Sequence, residues 1–290
     1  MIKLNMFFEN KTTSEEPFVG WAHQNKNNKK IYHVKNESII LSEEIHDFDE
    51  NEIWLIFPKT RLINRFYRSS SNSNTILLTE RCDQYCVMCS QPPKAKDYLH
   101  FDLFKEAINL ISGPAIIGIT GGEPTLYKKE LLDLIRDVID KNNQITFHIL
   151  SNGQHFDEKD IKFLTSVNQK VLWAIPIYSD LPELHNQIVG KDGAYKKLIS
   201  SFNILMLSGS RVELRTVLLK QNYENFLSLS KFINEHFQWI EYWSIMQLEK
   251  FGFAKINWDQ KFVDTSKQFQ ILDNVLSMSD ASDLNIQLFN

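Results

Sequence analysis

Three cysteines, Cys82, Cys86 and Cys89, are the only ones in the 290-residue chain, and all fall within one eight-residue window. The spacing Cys-x3-Cys-x2-Cys puts three thiols on one short loop, where their thiolates can bind three iron atoms of a 4Fe-4S cluster. The fourth iron then has no cysteine, which leaves it an open coordination site for a small molecule. Cysteines so closely spaced do not suit a disulfide framework, and they indicate a reducing compartment.

The cysteine spacing is also compatible with sites that hold no iron. A zinc site of the Cys3His type needs a histidine, and the nearest one downstream, His100, follows the segment Pro92-Pro93. The thiols could also be buried without any metal. Two competing functions are a zinc-stabilised module that binds a peptide or a nucleic acid, and an iron-sulfur electron carrier or redox sensor. A carrier normally holds its cluster through four cysteines, so the open iron favours chemistry on a bound molecule.

A second motif, Gly121-Gly122-Glu123-Pro124, follows a short apolar run that begins at residue 115. Two glycines let a backbone approach a ligand closely, and Glu123 offers acceptors to an ammonium group. An ordinary turn from a strand to a helix, with Pro124 at the helix start, is the alternative.

The pattern of predicted secondary structure around these motifs changes near residue 70. Residues 1–70 contain short apolar and aromatic runs between polar turns, which predicts a small β-rich domain. The polar stretch 69–74 marks the boundary of a second domain, 71–290, in which apolar runs alternate with amphipathic stretches. The predicted strands of this domain are 75–79, 115–119, 144–150, 171–178, 211–219 and 239–248. Its predicted helices are 101–111, an apolar stripe from 131 to 139, 158–164, 194–207 and 226–237.

Six strands that alternate with helices indicate a parallel sheet whose strands are covered by the helices. The fold class is therefore α/β, either a partial (β/α)6 TIM-like barrel or an open doubly wound sheet. No Gly-x-Gly-x-x-Gly follows the first strand, which removes the usual support for a dinucleotide-binding open sheet. We therefore expect the partial barrel, preceded by the small β-rich domain.

Active sites of such barrels are built at the carboxyl ends of the strands, so polar residues there are candidates. Ser151 and Asn152 follow the third predicted strand, where a simple Asn-Gly turn is the alternative. Ser179 follows the fourth strand, and its neighbours Asp180 and His185 could equally be loop-capping groups.

Arg215 lies within the apolar fifth strand, where a charge is costly unless it is paired. One possibility is a salt bridge with Glu213 or Glu249, because alternation along a strand puts Glu213 and Arg215 on one face. The other is a role in ligand binding. Gln247 and Glu249, at the end of the sixth strand, lie where a substrate would be expected or simply at the rim.

The net charge and the lengths of the apolar segments limit the classes of partner and the compartment that the sequence predicts. A formal net charge of -4 gives no electrostatic reason to expect a nucleic acid or an anionic membrane as a partner. The apolar start of the chain is too short for a signal peptide, and no stretch approaches membrane-spanning length. The sequence therefore predicts a cytoplasmic protein that acts on a small molecule or a polypeptide.

Cys-x3-Cys-x2-Cys followed by Gly-Gly-Glu-Pro resembles the radical S-adenosylmethionine enzymes. The resemblance implies two cofactors, a 4Fe-4S cluster and S-adenosylmethionine (SAM), whose amino and carboxylate groups bind the open iron. The reduced cluster would then split SAM into methionine and a 5'-deoxyadenosyl radical that takes hydrogen from a substrate. The metal ligands would be Cys82, Cys86 and Cys89. The cofactor-binding residues would be Met88 (through its backbone), Gly121, Gly122, Glu123, Ser151, Asn152, Ser179 and Arg215.

Longer segments are similar to a narrower group, the maturases of the His-Xaa-Ser peptide system. They are 78–82, 88–94, 175–180, 211–215 and 248–254. This similarity implies a ribosomally made precursor peptide with His-Xaa-Ser repeats as substrate, a partner radical maturase, and an electron donor such as flavodoxin or ferredoxin. Such maturases are expected to continue with further cysteines, so the chain is expected to be truncated after Asn290.

Overall fold

The computed structural model describes residues 2–3, 6–8, 16–24, 30–34, 37–41, 52–60, 62–97, 99–256, 258–279 and 284–289. The chain forms two compact units. The first comprises Met1–Ile76, Leu99–Gly118 and Glu130–Phe147, and the second comprises Leu77–Tyr98, Ile119–Lys129 and His148–Asn290. Every residue of the candidate site belongs to the second unit. The division at residue 70 stays a prediction.

The N-terminal part forms an antiparallel sheet, which confirms the predicted β-rich region. The sheet order is β1-β7-β6-β3-β4-β5-β2. Its strands are β1 (Ile2–Lys3), β2 (Met6–Phe8), β3 (Phe18–Gln24), β4 (Lys30–Val34), β5 (Glu37–Leu41), β6 (Ile53–Phe57) and β7 (Leu62–Tyr67). The buried carboxylate of Glu52 pairs with Arg65 at 3.2 Å and with Arg68 at 2.7 Å, so this charge is compensated where it is taken out of water.

The second sheet is parallel, and its order β14-β13-β12-β11-β10-β9-β8 follows the chain. Its strands are β8 (Asn74–Thr79), β9 (Ala115–Gly121), β10 (Ile145–Leu150), β11 (Val171–Pro176), β12 (Arg211–Val217), β13 (Tyr242–Met246) and β14 (Ile286–Phe289). The predicted α/β fold of the partial-barrel type is confirmed, with β14 as one strand more than predicted. β14 pairs with β13 in parallel, from Trp243 opposite Ile286 to Met246 opposite Phe289.

Helices alternate with these strands. They are α1 (Phe101–Asn109), α2 (Lys128–Lys141), α3 (Ile161–Val167), α4 (Pro182–Val189), α5 (Ala194–Leu207), α6 (Lys220–Tyr223), α7 (Phe226–His236), α8 (Trp258–Lys261) and α9 (Thr265–Ser279). In α2, the apolar stripe at Leu131, Leu134, Ile135 and Val138 is buried, whereas Arg136 on the other face is exposed. No helix in the described part of the chain is long and apolar enough to span a membrane.

Candidate active site

A cavity of about 530 Å³ opens at the carboxyl ends of the parallel strands. Gln247 and Glu249, at the end of β13, belong to its lining. Nine of the predicted site residues line it together, namely Cys82, Cys86, Met88, Cys89, Gly121, Gly122, Ser151, Asn152 and Arg215. Glu123 and Ser179 are not among the lining residues. Residues that are far apart in sequence thus meet around one space, as an active site at the mouth of a barrel requires.

The cysteine loop is closed on one side by the C-terminal end of α4. The N–H of Tyr85 donates to the carbonyl oxygen of Val189 (3.0 Å between N and O), and the N–H of Val87 donates to that of Ile188 (2.9 Å). Gly190 ends the helix with φ of +64°, and a Cβ there would lie 2.6 Å from the Tyr85 oxygen. Glycine is therefore needed both for the left-handed turn and for the close approach.

A second segment closes the loop beside the third cysteine. The N–H of Phe253 donates to the carbonyl oxygen of Cys89 at 2.8 Å. Gly252 has φ of +49°, and a Cβ on it would lie 2.2 Å from the Cys89 oxygen and 2.5 Å from that of Ser90. The backbone of the cysteine loop is therefore packed directly on the turn at residue 252, with no room for a side chain.

The Gly-Gly turn touches the start of the same loop. The N–H of Gly122 donates to the carbonyl oxygen of Thr79, and that of Glu123 donates to the carbonyl oxygen of Arg81, both at 2.7 Å. A Cβ on Gly122 would lie 2.0 Å from the Arg81 oxygen, and one on Gly121 would lie 2.5 Å from that of Thr79. The two motifs are therefore joined backbone to backbone, which the sequence does not reveal.

The side chain of Glu123 is fully buried and is bonded within the protein. Its Oε1 accepts from the N–H and the hydroxyl of Thr125 and from the Ser151 hydroxyl (2.9 Å), and its Oε2 accepts from the N–H of Asn152 (2.5 Å). Burial raises the pKa of Glu123, while these hydrogen bonds oppose that rise. The carboxylate ties the end of β9 to the turn after β10, and its predicted contact with an ammonium group stays a prediction.

Ser179 is also turned away from the cavity. Its hydroxyl donates to Asn225 Oδ1 at 2.6 Å and accepts from the N–H of Leu181 at 2.9 Å, and the residue is fully buried. The residue that lines the cavity here is its neighbour Tyr178, whose N–H donates to Nδ1 of His185 at 3.3 Å. The predicted fourth strand extends to residue 178, whereas β11 ends at Pro176, so both residues lie in the loop after the strand.

Arg215 lies beside Glu213 and also lines the cavity, and its role in ligand binding stays a prediction. It lines the cavity, its Nε lies 3.7 Å from Glu213 Oε1, and an Nη donates to Met246 Sδ at 3.0 Å. Glu213 also accepts from the Ser244 hydroxyl at 2.6 Å and lies 2.6 Å from Nε2 of His148. Burial acts to raise the pKa of Glu213, but His148, the charge of Arg215 and Ser244 outweigh it and lower that pKa. The pair therefore places one compensated positive charge beside the cavity.

The three thiols favour their neutral form in the metal-free chain. Burial raises the pKa of Cys82 to about 12, an effect that a backbone hydrogen bond at Gln84 only partly offsets. Burial also raises the pKa of Cys86, with a further contribution from charge on Cys82 and Cys89, and it raises that of Cys89. A group of buried thiols of this kind needs bound cations to become thiolates.

Among the described residues, no three His, Cys, Asp or Glu side chains converge on a point where a single metal ion would fit. A cubane cluster places different demands on its ligands, because each cysteine binds a different iron atom and the thiols surround the cluster. Three thiols spread around one cavity suit that arrangement.

The fold and the site therefore define a class, α/β proteins of the partial-barrel type with a three-cysteine loop at the mouth of the barrel. The family model "Radical SAM superfamily" matches residues 76–233, which is more than half of the chain. The chain belongs to the radical SAM superfamily. Proteins of this superfamily use a 4Fe-4S cluster and SAM.

One curated relative is the antilisterial bacteriocin subtilosin biosynthesis protein AlbA of Bacillus subtilis. It is 24% identical over 154 residues, which are 51% of this chain and 33% of AlbA. The chain thus spans about a third of the length of this relative.

Solved structures of low sequence identity share the fold. SuiB of Streptococcus suis, whose structures include complexes with SAM and with the precursor peptide SuiA, has a TM-score of 0.60 at 18% identity. The match covers 74% of this chain and 49% of SuiB. The protein anSMEcpe with bound AdoMet has a TM-score of 0.57 at 19% identity, over 73% of this chain and 62% of anSMEcpe.

Proposed function

We propose that this chain is a radical SAM enzyme that modifies a peptide. The observation that carries the proposal is the convergence of the three cysteines, the Gly-Gly turn and one arginine around a single cavity at the carboxyl ends of the strands. When bound, the reduced cluster supplies an electron that splits SAM into methionine and a 5'-deoxyadenosyl radical, which takes a hydrogen atom from the substrate.

The residues of the chain have separate tasks in this proposal. Cys82, Cys86 and Cys89 bind three iron atoms, and the backbone at Gly121-Gly122 receives the amino group of SAM. Arg215 receives its carboxylate, because a guanidinium matches a carboxylate with two parallel hydrogen bonds. By the family resemblance, Ser151 and Asn152 are assigned to the ribose, and the backbone of Met88 is assigned to the adenine.

The cavity also has to exclude water from a reactive radical. Its apolar lining includes Leu150, Pro176, Val217 and Leu248. Side chains of this kind offer no hydrogen bonds to water, so they favour a dry space around the radical.

The proposed substrate is a ribosomally made precursor peptide with His-Xaa-Ser repeats, and the proposed partners are a second radical maturase and an electron donor such as flavodoxin or ferredoxin. AlbA is named for bacteriocin biosynthesis, and the SuiB and anSMEcpe structures include peptide complexes, which supports a peptide as substrate. The proposed compartment is the cytoplasm, where thiols stay reduced. We also propose residues 1–70 and 71–290 as the domains of the chain.

Anaerobic reconstitution tests the enzyme proposal. The chain is loaded with iron and sulfide, reduced with dithionite and mixed with SAM, and 5'-deoxyadenosine is measured by mass spectrometry. We expect a brown protein that forms 5'-deoxyadenosine, and Cys86→Ala is expected to lose both properties while it remains folded. Reversible reduction without 5'-deoxyadenosine would indicate an electron carrier, and a colourless protein with one zinc ion would indicate a zinc module.

The peptide proposal needs a separate test. A precursor with His-Xaa-Ser repeats, deuterated in the repeats, is compared with a scrambled peptide of the same composition. We expect deuterium in 5'-deoxyadenosine only with the repeat peptide. Equal transfer from both peptides, or none from either, would contradict this substrate and leave the cofactor chemistry unaffected.

A further inference from the structure

Asp83, directly after the first cysteine, contacts two other segments of the second unit, the turn after β10 and the residues that follow α4. Its Oδ1 accepts from Asn152 Nδ2 at 2.7 Å, in the turn after β10. Its Oδ2 lies 3.1 Å from Nε2 of His155 and accepts from the ammonium of Lys191, which follows α4. The side chain is only 24% exposed, so its negative charge is compensated locally by these partners.

Asn152 is held at three atoms. Its Nδ2 donates to Asp83, its Oδ1 accepts from the N–H of Gln154 at 3.1 Å, and its backbone N–H donates to Glu123 Oε2 at 2.5 Å. The residue lines the cavity but is only 8% exposed. Asn152 is therefore hydrogen-bonded to two carboxylates. Asp83 belongs to the cysteine loop, and Glu123 belongs to the Gly-Gly-Glu turn.

The cysteine loop depends on such contacts, because the described residues between β8 and α1 form no helix or strand. Cys86 and Cys89 lie beside the backbone hydrogen bonds from α4 and from Phe253. Cys82 lies at the other end of the loop, where Asp83 provides the side-chain anchor. Loss of this side-chain anchor leaves the start of the loop with the backbone bond from Glu123 to Arg81, and we expect the loop as a whole to loosen.

We propose that Asp83 and Asn152 form a positioning pair that couples the cysteine loop to the Gly-Gly-Glu turn. This inference rests on the proposed function in one respect, that these two segments bind the cluster and SAM. Neither side chain needs to contact the cofactors for the coupling to act, since both bonding atoms of the Asn152 amide have protein partners. The pair fixes the spacing between the two segments before either cofactor binds.

Hydrogen exchange of the metal-free chain, read by mass spectrometry, tests the coupling without any activity. In Asp83→Asn, a charge-assisted bond is lost, and we expect amides of both 82–90 and 151–154 to exchange about tenfold faster. Asp192→Asn, beside the same lysine segment, is the matched control and should leave both segments unchanged. Faster exchange in 82–90 alone, or in neither segment, would overturn the proposal.

A second variant covers the case in which Asp83→Asn does not fold, and a double-variant cycle measures the coupling when both single variants fold. Asn152→Ala is expected to speed exchange in 82–90, although this segment is remote in sequence. In reconstituted protein, each single variant should release iron to a chelator about tenfold faster, and the double variant should not be faster than the singles. Multiplicative effects would show that the residues act separately. Wild-type protein that takes up no iron would contradict the proposed function, while the exchange result would still decide the coupling.

Discussion

Alanine at position 122 is expected to force apart the two backbone segments that carry the motifs. Its methyl carbon would lie 2.0 Å from the carbonyl oxygen of Arg81 and 2.9 Å from the nitrogen of Cys82, whereas Cβ contacts under 3.0 Å essentially never occur. Both neighbours are backbone atoms, so neither can swing away as a long side chain would. The segments must therefore separate by about 1 Å at the Arg81 oxygen.

The energetic cost follows from the contacts that this movement strains. Overpacking costs about 1–3 kcal/mol, and each of the two 2.7 Å backbone hydrogen bonds from Gly122 and Glu123 contributes about 0.5–1.5 kcal/mol. The free energy of unfolding of Gly122→Ala should fall by about 2–6 kcal/mol. Because the displaced segment leads directly into Cys82, iron binding should fall as well.

Urea denaturation followed by circular dichroism measures the stability, and iron per chain after anaerobic reconstitution measures the site. Gly118→Ala, in strand β9 just before the Gly-Gly turn, is the matched control. A Cβ there would meet the Thr75 side chain, with Oγ1 at 2.6 Å, and that side chain can rotate, so we expect a smaller loss of stability and normal iron content. Wild-type stability and iron content in Gly122→Ala would refute the close backbone contact and the coupling of the two motifs.

Three further predictions concern single side chains. Arg215→Ala should weaken SAM binding, measured by calorimetry, about ten- to hundredfold, which corresponds to the loss of a charge-assisted hydrogen bond. Arg211→Ala is the control: Arg211 lies on the same strand as Arg215 but pairs with Glu241, so SAM binding should stay unchanged. Glu123→Gln should lower the free energy of unfolding by about 1–3 kcal/mol, because an amide cannot accept from all the present donors; unchanged urea stability would contradict this. Burial lowers the pKa of His185 from 6.5 to about 4, so as pH falls through this range the unfolded chain gains a proton that the folded chain does not. Stability should therefore fall by about 1.4 kcal/mol per pH unit from this residue, and a pH series of melts on His185→Gln should lack that slope.

The sequence predicts the cofactor site well where a motif is local. The cysteine spacing and the two glycines are recognisable because the ligands of one cluster lie on one loop. The strand pattern also predicts six of the parallel strands, since buried strands appear as short apolar runs. Helix α9 is not among the predicted helices, although Asp264 directly before it is a common N-cap residue and Ile271, Leu272 and Val275 have helical spacing.

The orientation of single side chains is harder to predict. Ser179 and Tyr178 differ by one position, and which of them faces the cavity depends on where β11 ends, which sequence patterns place only to within a few residues. The role of Glu123 depends on donors from residues 151 and 152, which only the folded chain brings near. Contacts between distant segments leave no periodic signal.

The order in which the ribosome makes the chain determines when the contacts around the cysteine loop can form. The cysteines are synthesised early, but the groups that hold their loop, Val189 and Phe253, are added long afterwards. A nascent chain that ends before residue 253 lacks one of the two sides of the loop. We therefore expect stable iron binding only once residue 253 has been made and has packed on the cysteine loop.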